Sequence, residues 1–146
     1  MKRRQFIKSA GLIGASTLIL PHTRLFGADA PSNKLNIALI GTWGRGAAHF
    51  STIAAENVVA LCDVNQQNLA AAARQFPGAK TFTDFRKLYD EFKSFDAVAV
   101  STAEHTHAFA TLPALQRKKH VYCEKPLTHN IWECRKIREA AKQAGV

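Results

Sequence analysis

An α/β fold built around a doubly wound parallel sheet is the fold class that this 146-residue sequence predicts. From Lys34 onward, short apolar runs alternate with stretches of helical periodicity, which is the pattern of parallel strands joined by right-handed helical crossovers. The first run leads into a glycine-rich turn within NIALIGTWGRGAAHF, residues 36–50, and the turn leads into a helical segment. Runs as apolar as this one are typical of central strands buried on both faces.

In the first half of this alternation, the length of each apolar run and the positions of helix-breaking residues distinguish strands from helices. The two longer apolar runs are short enough for strands, and Pro77-Gly78 ends an alanine-rich helix. The predicted elements are, in order, the strand 35–40, the helix 47–55, the strand 57–62, the helix 65–76 and the strand 79–82.

The second half continues the same pattern. Its first helix carries Phe85, Leu88, Tyr89 and Phe92 at amphipathic spacing, with Thr83 or Asp84 as its cap. The predicted elements are the helix 84–92, the strand 95–101, the helix 107–117, the strand 120–123 and the helix 128–144, which Gly145 ends. Val146 is predicted to begin a further strand. The sequence therefore predicts a Rossmann-like sheet that is incomplete at its C-terminus.

The first 30 residues are predicted to be an export signal that precedes the domain. A cationic start is followed by an apolar run, residues 10–20, which is too short to cross a bilayer as a mature helix. The stretch KRRQFIK, residues 2–8, resembles a twin-arginine export signal, and an ordinary secretory signal is the alternative. Ala28-Asp29-Ala30 suits a cleavage site, so the domain is expected to span residues 31–146. We therefore expect a periplasmic protein, free or anchored by an uncleaved signal, with the twin-arginine export machinery as a partner.

Charge and cysteine content limit the other interpretations. Of the formal net charge of +9, +4 lies in residues 1–30. The one dense basic run, Arg117-Lys118-Lys119, falls at a helix end without accompanying aromatic residues, so no nucleic-acid partner is expected. Cys62 and Cys123 end strands on opposite sides of the first strand, so no disulfide is expected between them. Cys134 is predicted to pack as a small apolar residue on the last helix.

The glycine-rich turn is predicted to bind the pyrophosphate of a dinucleotide. Gly41 can make the tight turn, and Gly46 lets the helix start pack closely on the sheet. Trp43 stands where G-x-G-x-x-G has its second glycine, while Gly44 supplies flexibility one residue later. The predicted cofactor-binding residues of this loop are Gly41, Thr42, Trp43, Gly44, Arg45 and Gly46.

Asp63 supports nucleotide binding and favours NAD over NADP. It lies 22 residues after Gly41, at the carboxyl end of the second predicted strand. A carboxylate there can accept hydrogen bonds from both adenosine ribose hydroxyls, and it repels a 2′-phosphate. The alternative is an aspartate that caps the helix following Asn65.

Two later loops, residues 101–107 and 123–126, also follow strands on the edge where doubly wound sheets bind ligands. Glu104, His105 and His107 suggest a metal site, but ligands this closely spaced need further partners, so no metal is predicted. A histidine at the helix start that contacts cofactor or substrate is favoured instead. The carboxylate before Lys125 and the proline after it favour a positioned ammonium over a solvated lysine.

Three motifs together resemble those of the Gfo/Idh/MocA oxidoreductases. YCEKPLTHN, residues 122–130, contains their Glu-Lys-Pro motif. STAEHTHA, residues 101–108, resembles their Thr-Pro-Asn/Asp-x-x-His loop, with Ala103 and Glu104 as departures. GTWGRGAAH, residues 41–49, resembles the G-x-G-G-R-G variant of their phosphate loop, with only the second glycine changed. The resemblance runs from about Asn36 to Val146.

The resemblance implies an NAD-dependent oxidoreductase that transfers hydride to or from a sugar or polyol. It implies that Lys125 lies near the nicotinamide and the reacting hydroxyl as a catalytic residue, and that Glu124 contacts the nicotinamide end. Thr102 and His107 would line that pocket. The family's substrate residues belong to a C-terminal α/β domain that these residues lack, so this chain alone is expected to be inactive. Homo-oligomers are expected only in the full-length protein.

Two alternatives stay open at this point. The chain could be a non-catalytic nucleotide-binding fragment or subunit, or part of an NAD-dependent glycosidase. The glycosidase branch of the family often replaces Glu-Lys-Pro, so the motif at residues 124–126 disfavours it.

Overall fold

The computed structural model describes residues 33–146, and the predicted export signal and its cleavage site lie outside this range. Leu35–Val146 forms one compact unit. Its strands and helices are, in chain order, β1 Asn36–Ile40, α1 Arg45–Ala48, α2 Phe50–Ile53, β2 Asn57–Cys62, α3 Gln66–Gln75, β3 Lys80–Phe82, α4 Phe85–Glu91, β4 Ala97–Val100, α5 Glu104–Gln116, β5 His120–Cys123 and α6 Ile131–Ala144.

The sheet is parallel throughout, with the strand order β3-β2-β1-β4-β5. After β3 the chain crosses back over the sheet, so the strand order reverses between β1 and β4. Such a switch point opens a crevice outside the carboxyl ends of the strands. The predicted doubly wound, Rossmann-like sheet is confirmed.

Both faces of the sheet are covered by apolar side chains. The period of two along β1 places Ile37 and Leu39 on one face, where Phe50 and Leu69 from the helices cover them. The opposite face buries Ala38 and Ile40 of β1. Side chains of β2, β4, α4, α5 and the segment before β4 pack against them, including Ala60, Val98, Val100, Leu88, Tyr89, Phe95 and Ala110. This two-sided burial explains why the strands are apolar without alternation.

Some helix boundaries differ from the sequence prediction. The predicted helix 47–55 is divided into α1 and α2 at His49. α5 begins at Glu104 rather than at His107, so half of the predicted loop 101–107 is the first turn of a helix. An acidic residue in that first turn is favourable next to the positive end of the helix dipole. α6 begins only at Ile131, because the Asn130 side chain accepts from Glu133 N at 3.0 Å and caps the helix there.

The chain end and the cysteines were also predicted only in part. Gly145 ends α6 with φ +75°, as predicted, and the further strand expected from Val146 onward stays a prediction. All three cysteines are free, which agrees with the prediction that Cys62 and Cys123 are not bridged. The prediction for Cys134 is wrong, because it is exposed on α6, whose one buried residue is Ile137.

The basic run after α5 covers aromatic core residues. Arg117 lies over the Tyr89 ring at 5.4 Å, and Lys119 lies over the Phe95 ring at 5.0 Å. Arg117 also donates to Asp90 at 3.0 Å and to the carbonyl oxygen of Pro113 at 3.1 Å. These contacts give the run a structural role at this end of the domain. Between residues 33 and 146, no helix has the length and hydropathy that a membrane span requires.

Candidate functional site

A cleft of about 570 Å³ opens at the carboxyl ends of β1, β2 and β4, where the strand order reverses. Its walls come from the loops that follow the first four strands of the chain. Of the predicted site residues, those that line it are Gly41, Trp43, Asp63 and Thr102. The sheet topology therefore brings together residues from three loops that are about 20 to 60 positions apart in the sequence.

Gly41 allows the loop after β1 to pack directly against the loop after β4. Its φ is +88°, and a Cβ at this position would lie 2.6 Å from the carbonyl carbon and oxygen of Ser101. Gly46, buried in α1, packs in turn against the backbone of Gly41. The lack of side chains at both positions lets the loop after β1, the loop after β4 and the start of α1 pack against one another at the floor of the cleft.

Asp63 is hydrogen-bonded to the glycine-rich loop. Thr42 N and Thr42 Oγ1 donate to Oδ2 of Asp63 at 2.9 and 3.0 Å, and Asn65 N donates to Oδ1 at 2.9 Å. A carboxylate offers about four acceptor positions, so one on Oδ1 is left for a ligand. The predicted hydrogen bonds from the adenosine ribose hydroxyls to Asp63 stay a prediction.

The helix-cap alternative for Asp63 is not what the structure shows. α3 is capped by Asn65, whose side-chain oxygen accepts from Gln67 N at 2.9 Å and from Asn68 N at 3.3 Å. Asp63 instead lies two residues before this cap, at the edge of the cleft.

The remaining residues of the loop face outward. Trp43 is 69% exposed on the rim of the cleft, so its side chain does not fill the space beside the backbone. Gly44 has φ +56° with no heavy atom within 4 Å of a Cβ built there. The exposed Arg45 side chain extends away toward the loop after β5, where its Nε lies 3.2 Å from Oε1 of Glu124.

Glu124 is buried and holds the glycine-rich segment to the end of β5. Its Oε1 lies 2.6 Å from Nε2 of His49 and 3.2 Å from Nε of Arg45, and it accepts from the Tyr122 hydroxyl at 3.1 Å. The hydrogen bond with His49, followed by those with Arg45 and Tyr122, lowers the pKa of Glu124 from 4.5 to about 2. Its carboxylate is thus engaged by protein groups, and the predicted contact with a nicotinamide stays a prediction.

This pKa gives a pH dependence that can be measured. Because the carboxyl has a lower pKa in the folded state, its stabilising contribution is present above about pH 4.5 and is lost as the pH falls toward 2. We expect the free energy of unfolding, from urea titrations, to fall more steeply over this interval in the wild type than in Glu124→Gln. Glu139→Gln, which removes the same charge from the exposed face of α6, should keep the wild-type slope. Parallel profiles for wild type and Glu124→Gln would contradict the assignment.

His107 connects the two later loops. It is buried, with Nδ1 2.7 Å from the carbonyl oxygen of Pro126 and Nε2 2.9 Å from that of Thr102. The Thr102 hydroxyl is itself bound by the Thr106 hydroxyl at 2.7 Å. Each ring nitrogen faces a protein carbonyl oxygen, and the nitrogen that carries the proton donates to it, so His107 lies between Thr102 and Pro126 and links the two loops.

Lys125 lies in the loop that His107 holds. Its N–H donates to Oε2 of Glu124 at 3.3 Å, and its peptide bond to Pro126 is cis. The side chain is exposed, and within residues 33–146 no side chain forms an ion pair or hydrogen bond with its ammonium. Lys125 and Glu124 do not line the 570 Å³ cleft itself but follow the neighbouring strand.

Sequence reasoning missed several residues of this region. Both His49 and Tyr122 bind Glu124. His49 is 75 positions from Glu124, where no local pattern could link the two, whereas Tyr122 is only two positions away on β5. Asp84 and Arg86 line the cleft after β3, and the rule that all parallel strands end at one edge could have found them. Within the described part of the chain, no group of three or more potential metal ligands is present.

Comparison with known protein families and curated proteins gives consistent matches. Residues 35–146 match the Gfo/Idh/MocA model, described as an oxidoreductase family with an NAD-binding Rossmann fold. Inositol 2-dehydrogenase 2 of Saccharopolyspora erythraea is 33% identical over 115 residues, covering 76% of this chain and 34% of that protein. Glucose-6-phosphate 3-dehydrogenase of Bacillus subtilis is 32% identical over 113 residues, which are 75% of this chain and 31% of that protein.

Solved structures agree with these matches. The WlbA dehydrogenase from Bordetella pertussis, in complex with NADH and UDP-GlcNAcA, superposes with a TM-score of 0.72 at 26% identity, covering 77% of this chain and 36% of that one. Levoglucosan dehydrogenase, in complex with NADH and levoglucosan, superposes with a TM-score of 0.70 at 28% identity. The superposition covers 77% of this chain and 33% of that one. The chain spans about a third of the length of the proteins it matches.

Proposed function

The chain belongs to the Gfo/Idh/MocA oxidoreductase family, whose NAD-binding Rossmann fold it adopts, and on this premise we propose that its cleft binds NAD for hydride transfer to or from a sugar or polyol. The observation that carries the proposal is the convergence of the Gly41 turn and Asp63 at the switch point of the sheet. The substrate class is supported by the named activities of relatives, which act on inositol, glucose 6-phosphate and levoglucosan.

The residues present fit a dinucleotide. Gly41 lies in the lining of the cleft, at the turn where a dinucleotide fold binds a pyrophosphate, and Asp63 keeps one acceptor position for an adenosine ribose hydroxyl. An ionised carboxylate at this place disfavours a 2′-phosphate, so NAD is the preferred cofactor. NAD, when bound, supplies the hydride acceptor of the reaction.

Lys125 is the catalytic residue that we assign. Its ammonium has no protein side-chain partner among the described residues, and its backbone is fixed through Glu124 and through the Pro126 carbonyl bound by His107. In this role Lys125 holds the reacting hydroxyl and receives or returns its proton. Thr102 lines the neighbouring cleft, and His107 and Glu124 act as positioning residues.

The experiment that tests NAD binding uses Trp43 as its reporter. The sequence contains two tryptophans, so Trp132→Phe leaves only the exposed indole on the rim of the cleft. We expect NAD to change the Trp43 fluorescence saturably in the full 146-residue chain, with an affinity about tenfold or more above that for NADP. An absence of saturable binding of either dinucleotide would contradict the proposed function.

ADP separates the two ends of the cofactor in the same assay. Because ADP lacks the nicotinamide riboside, Lys125→Met should lower the affinity for NAD by about threefold to tenfold while leaving that for ADP unchanged. Lys142→Met, on the exposed last turn of α6, is the matched control and should alter neither affinity. Equal losses for NAD and ADP in Lys125→Met would argue against the placement of Lys125.

A further inference from the structure

The adenosine side of the cleft contains a second carboxylate and a guanidinium. Asp84 and Arg86 follow β3 and line the cleft together with Asp63. Asp63 N donates to the carbonyl oxygen of Phe82 at 3.1 Å, which places the segment after β3 directly beside the end of β2. Among the described residues that line the cleft, Arg86 is the only arginine or lysine.

Arg86 is held by Asp84 in a two-pronged ion pair. Its Nε donates to Oδ1 of Asp84 at 2.9 Å, and its Nη2 donates to Oδ2 at 2.8 Å. Asp84 also caps α4 by accepting from Arg86 N at 2.9 Å, so its carboxylate is fixed independently of the guanidinium. These hydrogen bonds from Arg86 hold the pKa of the Asp84 carboxyl below its usual range.

The pair lies where a ligand can reach it. The Arg86 side chain is 77% exposed, and both residues belong to the wall of the cleft. A guanidinium binds phosphate through the same planar fork of N–H groups with which it binds a carboxylate. A 2′-phosphate could therefore use Arg86 only by displacing Asp84, and it would then lie near two ionised carboxylates.

We propose that Asp84 is a second determinant of cofactor specificity, because it occupies the guanidinium of Arg86 that would otherwise bind a 2′-phosphate. The inference rests on the proposed function, namely that this cleft takes the adenosine end of NAD. In this arrangement Asp63 binds the free ribose, and Asp84 keeps Arg86, the one arginine or lysine among the described cleft-lining residues, from binding a 2′-phosphate. Discrimination between NAD and NADP is thus divided between the ends of β2 and β3.

The test compares Asp84→Asn with the wild-type chain. Asparagine is as good a helix cap as aspartate, so α4 should be retained, while the charge that holds Arg86 is removed. The probes are 2′,5′-ADP and 5′-AMP, which differ by the 2′-phosphate, followed by NADP and NAD. We expect Asp84→Asn to raise the affinity for 2′,5′-ADP relative to 5′-AMP by about tenfold, with a gain that shrinks as the NaCl concentration rises.

Two further variants decide whether the guanidinium is responsible. Asp84→Asn combined with Arg86→Gln should lose the gain, because no guanidinium is left to bind the 2′-phosphate. Asp90→Asn removes the same charge from the same helix at a residue outside the cleft lining, and it should leave the ratio of affinities unchanged. An unchanged ratio in Asp84→Asn, or a gain that persists without Arg86, would overturn the proposal.

The outcomes also separate this inference from the proposed function. If the wild-type chain binds neither NAD nor 5′-AMP, the cleft is not a nucleotide site and both proposals fail. If NAD and 5′-AMP bind normally but Asp84→Asn does not alter the preference, only the specificity role of Asp84 is refuted.

Discussion

Replacing Gly41 by alanine is expected to lower the free energy of unfolding by about 3 kcal/mol or more, enough to threaten the fold of a small domain. The residue has φ +88°, where a side chain is strained, and its Cβ would lie 2.6 Å from two backbone atoms of Ser101. Backbone atoms of a neighbouring loop cannot move away as a flexible side chain would. Urea unfolding followed by circular dichroism measures the loss.

Two other glycines separate the causes of this effect. Gly44→Ala places a side chain at φ +56° and ψ −113° with open space around it, so only backbone strain is expected, about 1–3 kcal/mol. Gly78→Ala lies in an open turn without a positive φ and should change stability by less than about 0.5 kcal/mol. If Gly41→Ala were no worse than Gly44→Ala, the close packing of the loops after β1 and β4 would not be essential.

Asp63→Asn is expected to reduce NAD affinity by about tenfold to a hundredfold and to destabilise the fold by about 1–3 kcal/mol. The Asp63 carboxylate accepts from backbone N–H groups on both sides, Thr42 N on Oδ2 and Asn65 N on Oδ1. An asparagine has one carbonyl oxygen, so its NH₂ group must face one of these donors in either orientation. Because Thr42 is buried, we expect the asparagine oxygen to face Thr42 and the NH₂ group to face Asn65 N, which loses its acceptor. Dinucleotide titration and urea unfolding measure the two losses separately.

The matched control is Asp96→Asn at the opposite edge of the sheet. Asp96 accepts from Asn36 N at 2.9 Å at the amino end of β1, and an asparagine oxygen can take that position. We expect its stability to change by less than about 0.5 kcal/mol and its NAD affinity to stay at the wild-type value. Wild-type NAD affinity in Asp63→Asn would show that this carboxylate is not part of the binding site.

The sheet and its order could be predicted from the sequence because the signals are local. Asn57–Cys62 and His120–Cys123 were predicted with their observed limits, since each is a short apolar run bounded by polar residues. Errors arose at helix starts, where caps compete. Asn130 rather than Thr128 limits α6, and α5 gains a turn that begins at Glu104. The placement of Gly41 and Asp63 at one edge followed from the parallel topology alone.

The sequence by itself determined the fold and the edge of the sheet at which the cleft opens, because hydrophobic periodicity and glycine positions specify strands, crossovers and the switch point. Only the tertiary structure decided which partners the polar side chains take. It turned Glu124 toward Arg45 and His49, which are 79 and 75 positions away in the sequence, and it placed His107 between two backbone carbonyls. The physical reason is that a side chain's direction and burial depend on how loops distant in sequence pack together. Local sequence patterns do not determine that packing.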